Sequence, residues 1–312
     1  MNAKKVAVAL SALVLGLTSC GQNANSLTRK EAEEHLDAIV AATPAAQTKL
    51  SASNTNTDPK ATISTYNFDG AANYSHVKFE AAKKLGDVTV NELFAYLDGA
   101  NFVFGFDGIS NNEQQQWSVT LPSGNAALAA IMAGFAQKQI DGFIKCGREH
   151  WHNGAGGLSA YLKRQDVIDQ NKTPITVSDQ TIEAGATEKD SYIVLADEKY
   201  STTGEGNLTL DFDALYPNPE HPEKLHEPLL FEFNNNLLTH WYNKKASSYH
   251  GNEWTMNYGT VDVAKTTFEA ASGSDADAVV KATQVVTLLS AAVSADQPYD
   301  EASLYPAHWA AN

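Results

Sequence analysis

The stretch Tyr200-Ser-Thr-Thr-Gly-Glu-Gly-Asn-Leu-Thr-Leu-Asp-Phe212 decides how the chain is read. Tyr200, Thr202, Gly204, Gly206, Leu208, Leu210 and Phe212 fall on one side of an extended backbone. Ser201, Thr203, Glu205, Asn207, Thr209 and Asp211 fall on the other. Alternation with a period of two is the pattern of a half-buried β-strand. Two arrangements fit it equally. One is a single strand, long against a typical five or six residues, bent at its two inward glycines. The other is two strands joined by a turn at Gly204-Glu205-Gly206. Either way the region belongs to a sheet with one apolar face.

Working outward, strand patterns recur on both sides. Leu229 to Phe233 and Leu237 to Tyr242 flank Asn234-Asn235-Asn236, whose side chains tolerate positive φ. Glu253 to Val263 alternates again, with Trp254, Met256 and Tyr258 on one side. Upstream, Ala61 to Phe68 and Tyr74 to Phe79 are separated by Asp69-Gly70. Glu92 to Leu97 and Asn101 to Phe106 flank Asp98-Gly99, a strong hairpin signal, and Phe102, Phe104 and Phe106 share a face. Gln116 to Leu121 carries Trp117 and Val119. The Ser-, Thr- and Asn-rich run Ala45 to Pro59 reads as a loop.

Helical patterns sit between and around these strands. Thr28 and Glu31 have capping-box spacing, and Ala32, Leu36, Ile39 and Val40 form one apolar stripe ended by Pro44. Asn125 to Lys145 is an apolar helix pattern, and Leu158 to Gln170 a more polar one after the break at Gly154 to Gly157. Asp275 to Ser294 is the last. The order helix, strands, helices, strands, helix predicts an α+β fold: a curved antiparallel sheet, half-barrel-like, with an N-terminal helix and helices packed on one face.

The short motifs Phe106-Asp107-Gly108, Gly206-Asn207-Leu208-Thr209-Leu210 and Asn235-Asn236-Leu237-Leu238, with a capped N-terminal helix and a central helical insertion, resemble the LolA/LppX-like half-barrel lipoproteins. The resemblance covers roughly residues 28 to 265 and is one of architecture more than of sequence. It implies a concave sheet that cradles a lipid or another apolar ligand. Phe102, Phe104, Phe106, Leu208, Leu210, Phe212, Trp254 and Met256 are the candidate lining. Aromatic stripes of this kind are equally the substance of an ordinary core.

The N-terminus carries a separate message. Lys4 and Lys5 precede an uncharged, mostly apolar run from Val6 to Leu17. As a helix that run would be about 18 Å long, too short for a ~30 Å hydrocarbon core, and it reads as the apolar region of a signal peptide. Leu17-Thr18-Ser19-Cys20 follows, and resembles the lipobox of bacterial lipoprotein precursors. The resemblance implies cleavage between Ser19 and Cys20 and a diacylglyceryl group on the Cys20 sulfur. The expected layout is a signal peptide at 1–19, a lipidated tether at 20–27, one domain at 28–295 and a tail at 296–312 bearing Tyr299, Tyr305 and Trp309. No other stretch reads as apolar for the roughly 18 residues a membrane span needs.

Charge narrows the partners. The whole chain carries −15. Residues 1–19 contain two lysines and no acid, so the remainder has 20 basic and 37 acidic side chains, a formal −17. Nucleic acid, whose binding needs Lys and Arg to displace counterions, is disfavoured, as is a flat electrostatic grip on anionic lipid. The expected partner is a membrane, through the lipid on Cys20. A lipidated Cys20 leaves Cys146 without an intrachain disulfide, so packing must hold the fold.

Few residues point to chemistry. Cys146, His150 and His152 form a weak candidate metal cluster, in a spacing that matches no zinc module. His221, His226, His240 and His250 are scattered through the C-terminal strands. The chain has no G-x-S-x-G, H-E-x-x-H or Walker motif. Neither a catalytic residue nor a cofactor is expected. Two functions remain open: a membrane-anchored carrier of an apolar ligand, and a structural or interaction lipoprotein with a solid core.

Overall fold

The computed structural model describes residues 24–56, 62–150, 173–177, 180–184, 194–215, 226–243, 252–261 and 263–295. The signal peptide, Cys20, the stretch 158–170 and the tail 296–312 lie outside these residues. The first half contains β1 (Asn25–Leu27), α1 (Arg29–Ala41), β2 (Lys49–Asn56), β3 (Thr62–Asp69), β4 (Tyr74–Leu85), β5 (Val88–Asp98), β6 (Asn101–Ser110) and β7 (Glu113–Pro122). Next come α2 (Ala126–Met132), α3 (Phe135–Lys145), a π-helical turn at Cys146–His150, and a separate hairpin of β8 (Thr173–Val177) and β9 (Gln180–Ala184). The second half contains β10 (Val194–Thr202), β11 (Leu208–Leu215), β12 (His226–Asn234), β13 (Leu237–Asn243), β14 (Asn252–Tyr258) and α4 (Asp275–Ala295).

Twelve strands make one curved, open antiparallel sheet, in the order β1-β10-β11-β12-β13-β14-β2-β3-β4-β5-β6-β7. The α+β class expected from the sequence is the class observed. Tyr200 to Phe212 is the hairpin and not the single bent strand: Tyr200 pairs with Leu210 and Ser201 with Thr209. The turn uses positive φ at Gly204 and Gly206, and the Thr202 hydroxyl closes it by donating to the carbonyls of Gly204 and Asn207. At Asn235 and Asn236 both residues have positive φ, the backbone that suits a two-residue hairpin loop.

Three further readings change. Lys49–Asn56, read as loop, is a central strand between β14 and β3. Leu50 and Ala52 are its buried residues, on the inner face, while Lys49, Ser51, Ser53 and Thr55 alternate onto the outer side, where Ser and Thr serve as well as valine. The helix expected across Asn125 to Lys145 is two helices, broken where Gly134 takes φ +67°. The expected tether at 20–27 is shorter, since Asn25–Leu27 pairs with β10. Only Gly21 to Ala24 separate Cys20 from β1, a reach of at most about 18 Å.

The core lies on the inner face of the curve. Ala32, Leu36 and Ile39 of α1, Phe135, Ile140 and Phe143 of α3, and Ala282, Val285, Leu289 and Ala292 of α4 join the inward side chains of the sheet in one buried cluster. α1 packs on β10 and β11, α3 on β3, and α4 across β4 to β7. By length and composition α4 could cross a membrane, against the expectation that no further stretch is long and apolar enough. Its buried stripe, which includes Ala282, Val285, Leu289 and Ala292, packs over β4 to β7.

Two local devices fix α1. At its start the Thr28 hydroxyl accepts from the Glu31 N–H at 3.3 Å, and the Glu31 carboxylate accepts from the Thr28 N–H at 2.8 Å. The Thr28 N–H and the Thr28 hydroxyl, both donating to that carboxylate, hold the Glu31 carboxyl below its usual range. At its end Arg148, from the π-helical turn, donates to the carbonyls of Ile39, Val40 and Ala42. Thr28→Ala should cost about 1 kcal/mol. In a thermal melt followed by circular dichroism that is a fall of about 3 °C in Tm. An unchanged melt would mean the cap contributes nothing.

The chain after β14 covers the opposite, outer face. Val261 and Phe268 pack on Tyr74, Phe94, Tyr96 and Val103, a second and smaller buried cluster. The Tyr74 and Tyr96 hydroxyls donate to the carbonyls of Ala264 and Thr266, each at 3.1 Å. At the β7 edge the Ser118 N–H donates to the Glu269 carbonyl, and the Ala271 N–H to the Ser118 carbonyl. The chain then turns onto the inner face as α4. Residues 263–274 are therefore a strap that wraps the β7 edge and covers part of a backbone otherwise open to pairing with another chain.

Candidate functional site

The structure brings all eight candidate lining residues to the inner face. None is more than 6 % exposed. They sit under different helices. Phe102, Phe104 and Phe106 are on β6, beneath α4, with Phe106 stacked on Trp117 at 5.4 Å. Leu208, Leu210 and Phe212 are on β11, beneath α1, with Phe212 stacked on Phe231 at 6.3 Å. Trp254 and Met256 are on β14, and Trp254 meets Tyr66 at 5.6 Å and Phe143 of α3 at 6.0 Å. A residue lining an empty ligand-sized space keeps surface accessible to a water-sized probe. Phe104, Phe106 and Leu210 keep none, and Leu208, Phe212 and Met256 keep 1 % each.

Titratable groups on this face respond to burial. Burial pushes the Tyr66 phenol well above its usual range, and raises Tyr258. Tyr200 is raised by burial first and then by the Glu198 carboxylate, to which its hydroxyl donates at 3.0 Å; Glu198 in turn pairs with Arg29 of α1. At the far end of β4, burial lowers the Lys83 ammonium to about 8, and its Nζ lies 5.8 Å from the Phe79 ring centre.

Of the weak metal candidate, only the Cys146 side chain is among the described residues; it is partly buried and packed against the core cluster. The side chain of His150 and the whole of His152 lie outside the described residues. Among the described residues no group of three His, Cys, Asp or Glu is arranged to hold a metal ion. His221, His250 and the side chain of His226 are likewise outside them.

The outer face holds two ionic clusters that the sequence reading did not single out. On β4 and β5, His76 Nε2 lies 2.9 Å from Glu92 Oε1, and Lys78 Nζ lies 3.3 Å from Glu92 Oε2. His76 and Glu92 are each under a tenth exposed, and the hydrogen bond from His76 lowers the Glu92 carboxyl. A carboxylate that orients an imidazole is half of a hydrolytic triad. The cross-strand neighbours of His76 are Asn67 and Phe94, and neither is a nucleophile. The second cluster is Glu232, His240 and Glu253 on β12, β13 and β14.

No protein-family model matches the chain, and no curated protein matches it in sequence.

Proposed function

We propose that this chain is a lipid-anchored protein of the extracytoplasmic face of a bacterial membrane, whose half-barrel is a packed scaffold and whose function is exerted through its surface. The observation that carries the scaffold reading is the burial of all eight inner-face candidates beneath three separate helices. Close-packed side chains leave no room for an acyl chain without repacking the core, which costs several kcal/mol. The anchor rests on Lys4, Lys5, the Val6 to Leu17 run and Leu17-Thr18-Ser19-Cys20. The acidic remainder fits an exposed surface that resists unspecific adhesion. Its working partner is then a protein reached within a short distance of the membrane.

Native mass spectrometry of the full chain, expressed in a bacterial host and released from detergent, tests the scaffold. The expected mass is that of the chain from Cys20 with its covalent lipid and nothing else. A stoichiometric non-covalent apolar species that survives exchange of the detergent would overturn the packed interior and make the half-barrel a ligand cradle.

A further inference from the structure

We infer that His240 is held as an imidazolium at neutral pH and acts as a pH-dependent clamp tying β12, β13 and β14 together across the outer face of the sheet. The geometry is two-sided. Nδ1 lies 2.8 Å from Glu232 Oε2 and Nε2 lies 2.9 Å from Glu253 Oε1. A neutral imidazole carries one N–H, and its other nitrogen presents a lone pair. A lone pair facing a carboxylate oxygen at that distance is repulsive. Only the cation donates to both glutamates at once.

The strand register builds this site. Asn234 pairs with Leu237 and Phe233 with Leu238, but Glu232 pairs with His240, leaving Thr239 as a bulge. The bulge sends Trp241 to the inner face and His240 to the outer one, opposite Glu232. On the other side His240 pairs with Thr255, which brings Glu253 of β14 within reach. The imidazole thus bridges two neighbouring strands from the one between them.

The surroundings favour the cation. β12 contributes Glu232, β14 contributes Glu253 and Thr255, and β13 itself contributes the Tyr242 ring, edge-on at 5.8 Å. One strand further, β2 places Ser53 and Thr55 opposite Thr255 and Glu253. β11 places Thr209 opposite Glu232 and Asp211 opposite Leu230, with Lys199 of β10 opposite Asp211. The His240 side chain is 24 % exposed, so solvent screens the contacts only in part. The hydrogen bond to Glu232 raises the imidazole above its ordinary value, with burial opposing it and Glu253 adding to it. The two carboxylates lie on opposite ring nitrogens and do not converge on one point, which excludes a shared metal ion.

The sign of the pH dependence follows. A histidine whose folded value exceeds its unfolded value contributes stability that is complete below the unfolded value, near 6.5, and is lost as pH rises through the folded value. The clamp is therefore closed at neutral pH and opens as pH rises through the folded value, by loss of the imidazolium proton.

The test uses the full chain in detergent, labelled with 15N at histidine only, with nitrogen-detected titration of the ring. At pH 7 both His240 nitrogens should be protonated, and the midpoint should lie above the ordinary histidine value. A neutral tautomer at pH 7 would overturn the inference. In Glu232→Gln the midpoint should fall by about one unit or more, a tenfold loss of proton affinity, since an opposite charge at hydrogen-bond distance has that effect. An unmoved midpoint in that variant would equally overturn it. The wild-type titration decides even if a variant fails to fold.

Discussion

Gly105→Ala should destabilise the domain by about 3 kcal/mol, a large part of the 5 to 15 kcal/mol typical of a folded protein. Elsewhere in a strand the same change would gain about 0.5 to 1 kcal/mol, because glycine loses more freedom on folding than alanine. Here sterics reverse the sign. Gly105 on β6 is the cross-strand partner of Phe94 on β5, and the ring of Phe94 lies over the glycine where a Cβ would stand. The ring is itself 1 % exposed and packed between neighbours. Phe268 of the strap meets it at 5.1 Å and Tyr96 at 5.7 Å. A methyl group at position 105 must therefore lift Phe94, and with it the strap.

Two measurements check this. Amide exchange across residues 263–271 should quicken in Gly105→Ala, because Phe268 is displaced. In a Phe94→Ala background, itself costing about 3 to 5 kcal/mol, the added cost of Gly105→Ala should fall below about 1 kcal/mol, since nothing remains to collide with. Additive costs in the double variant would show that the glycine matters for some other reason.

What could be read from the sequence divides along one physical line. Hairpins whose turns need positive φ announced themselves: Asp98-Gly99 and Asn235-Asn236 are where they were expected, because few residues take that backbone. The capping box of α1 was legible for a similar reason, being a local exchange of hydrogen bonds. β2 was not legible, because its identity as a strand comes from β14 and β3 on either side and not from its own Ser, Thr and Asn. The eight inner-face residues could be placed on one face by alternation, but whether a helix or a ligand covers that face is tertiary information. His240 shows the limit most clearly. Strict alternation along β13 puts it on the same side as Leu238, towards the core. A single bulged residue at Thr239 turns it out to meet Glu232 and turns Trp241 in, and nothing in Leu237 to Tyr242 marks that bulge.

Cys20→Ala should abolish lipid labelling of the chain altogether. With an alkyne-bearing palmitate analogue fed to the expressing cells, wild type should be labelled and Cys20→Ala should carry no label. Cys146→Ala should be labelled like wild type, because Cys146 is partly buried against the core and is no site for an acyl transferase. The expected size of the effect comes from chain hydrophobicity. Each buried methylene contributes about 0.8 kcal/mol, one acyl chain binds only marginally, and the two of a diacylglyceryl group anchor stably. Little else in the chain can substitute. The formal −17 of the remainder repels anionic lipid, and the buried stripe of α4 is committed to β4 to β7. Label persisting on Cys20→Ala would refute the lipobox reading. Fractionation then separates the two membrane elements. If unlabelled Cys20→Ala, once freed of residues 1–19, still sediments with membranes, α4 is the anchor and its packing on the sheet is not the state it adopts there. If it is soluble, the attachment runs through the Cys20 sulfur alone.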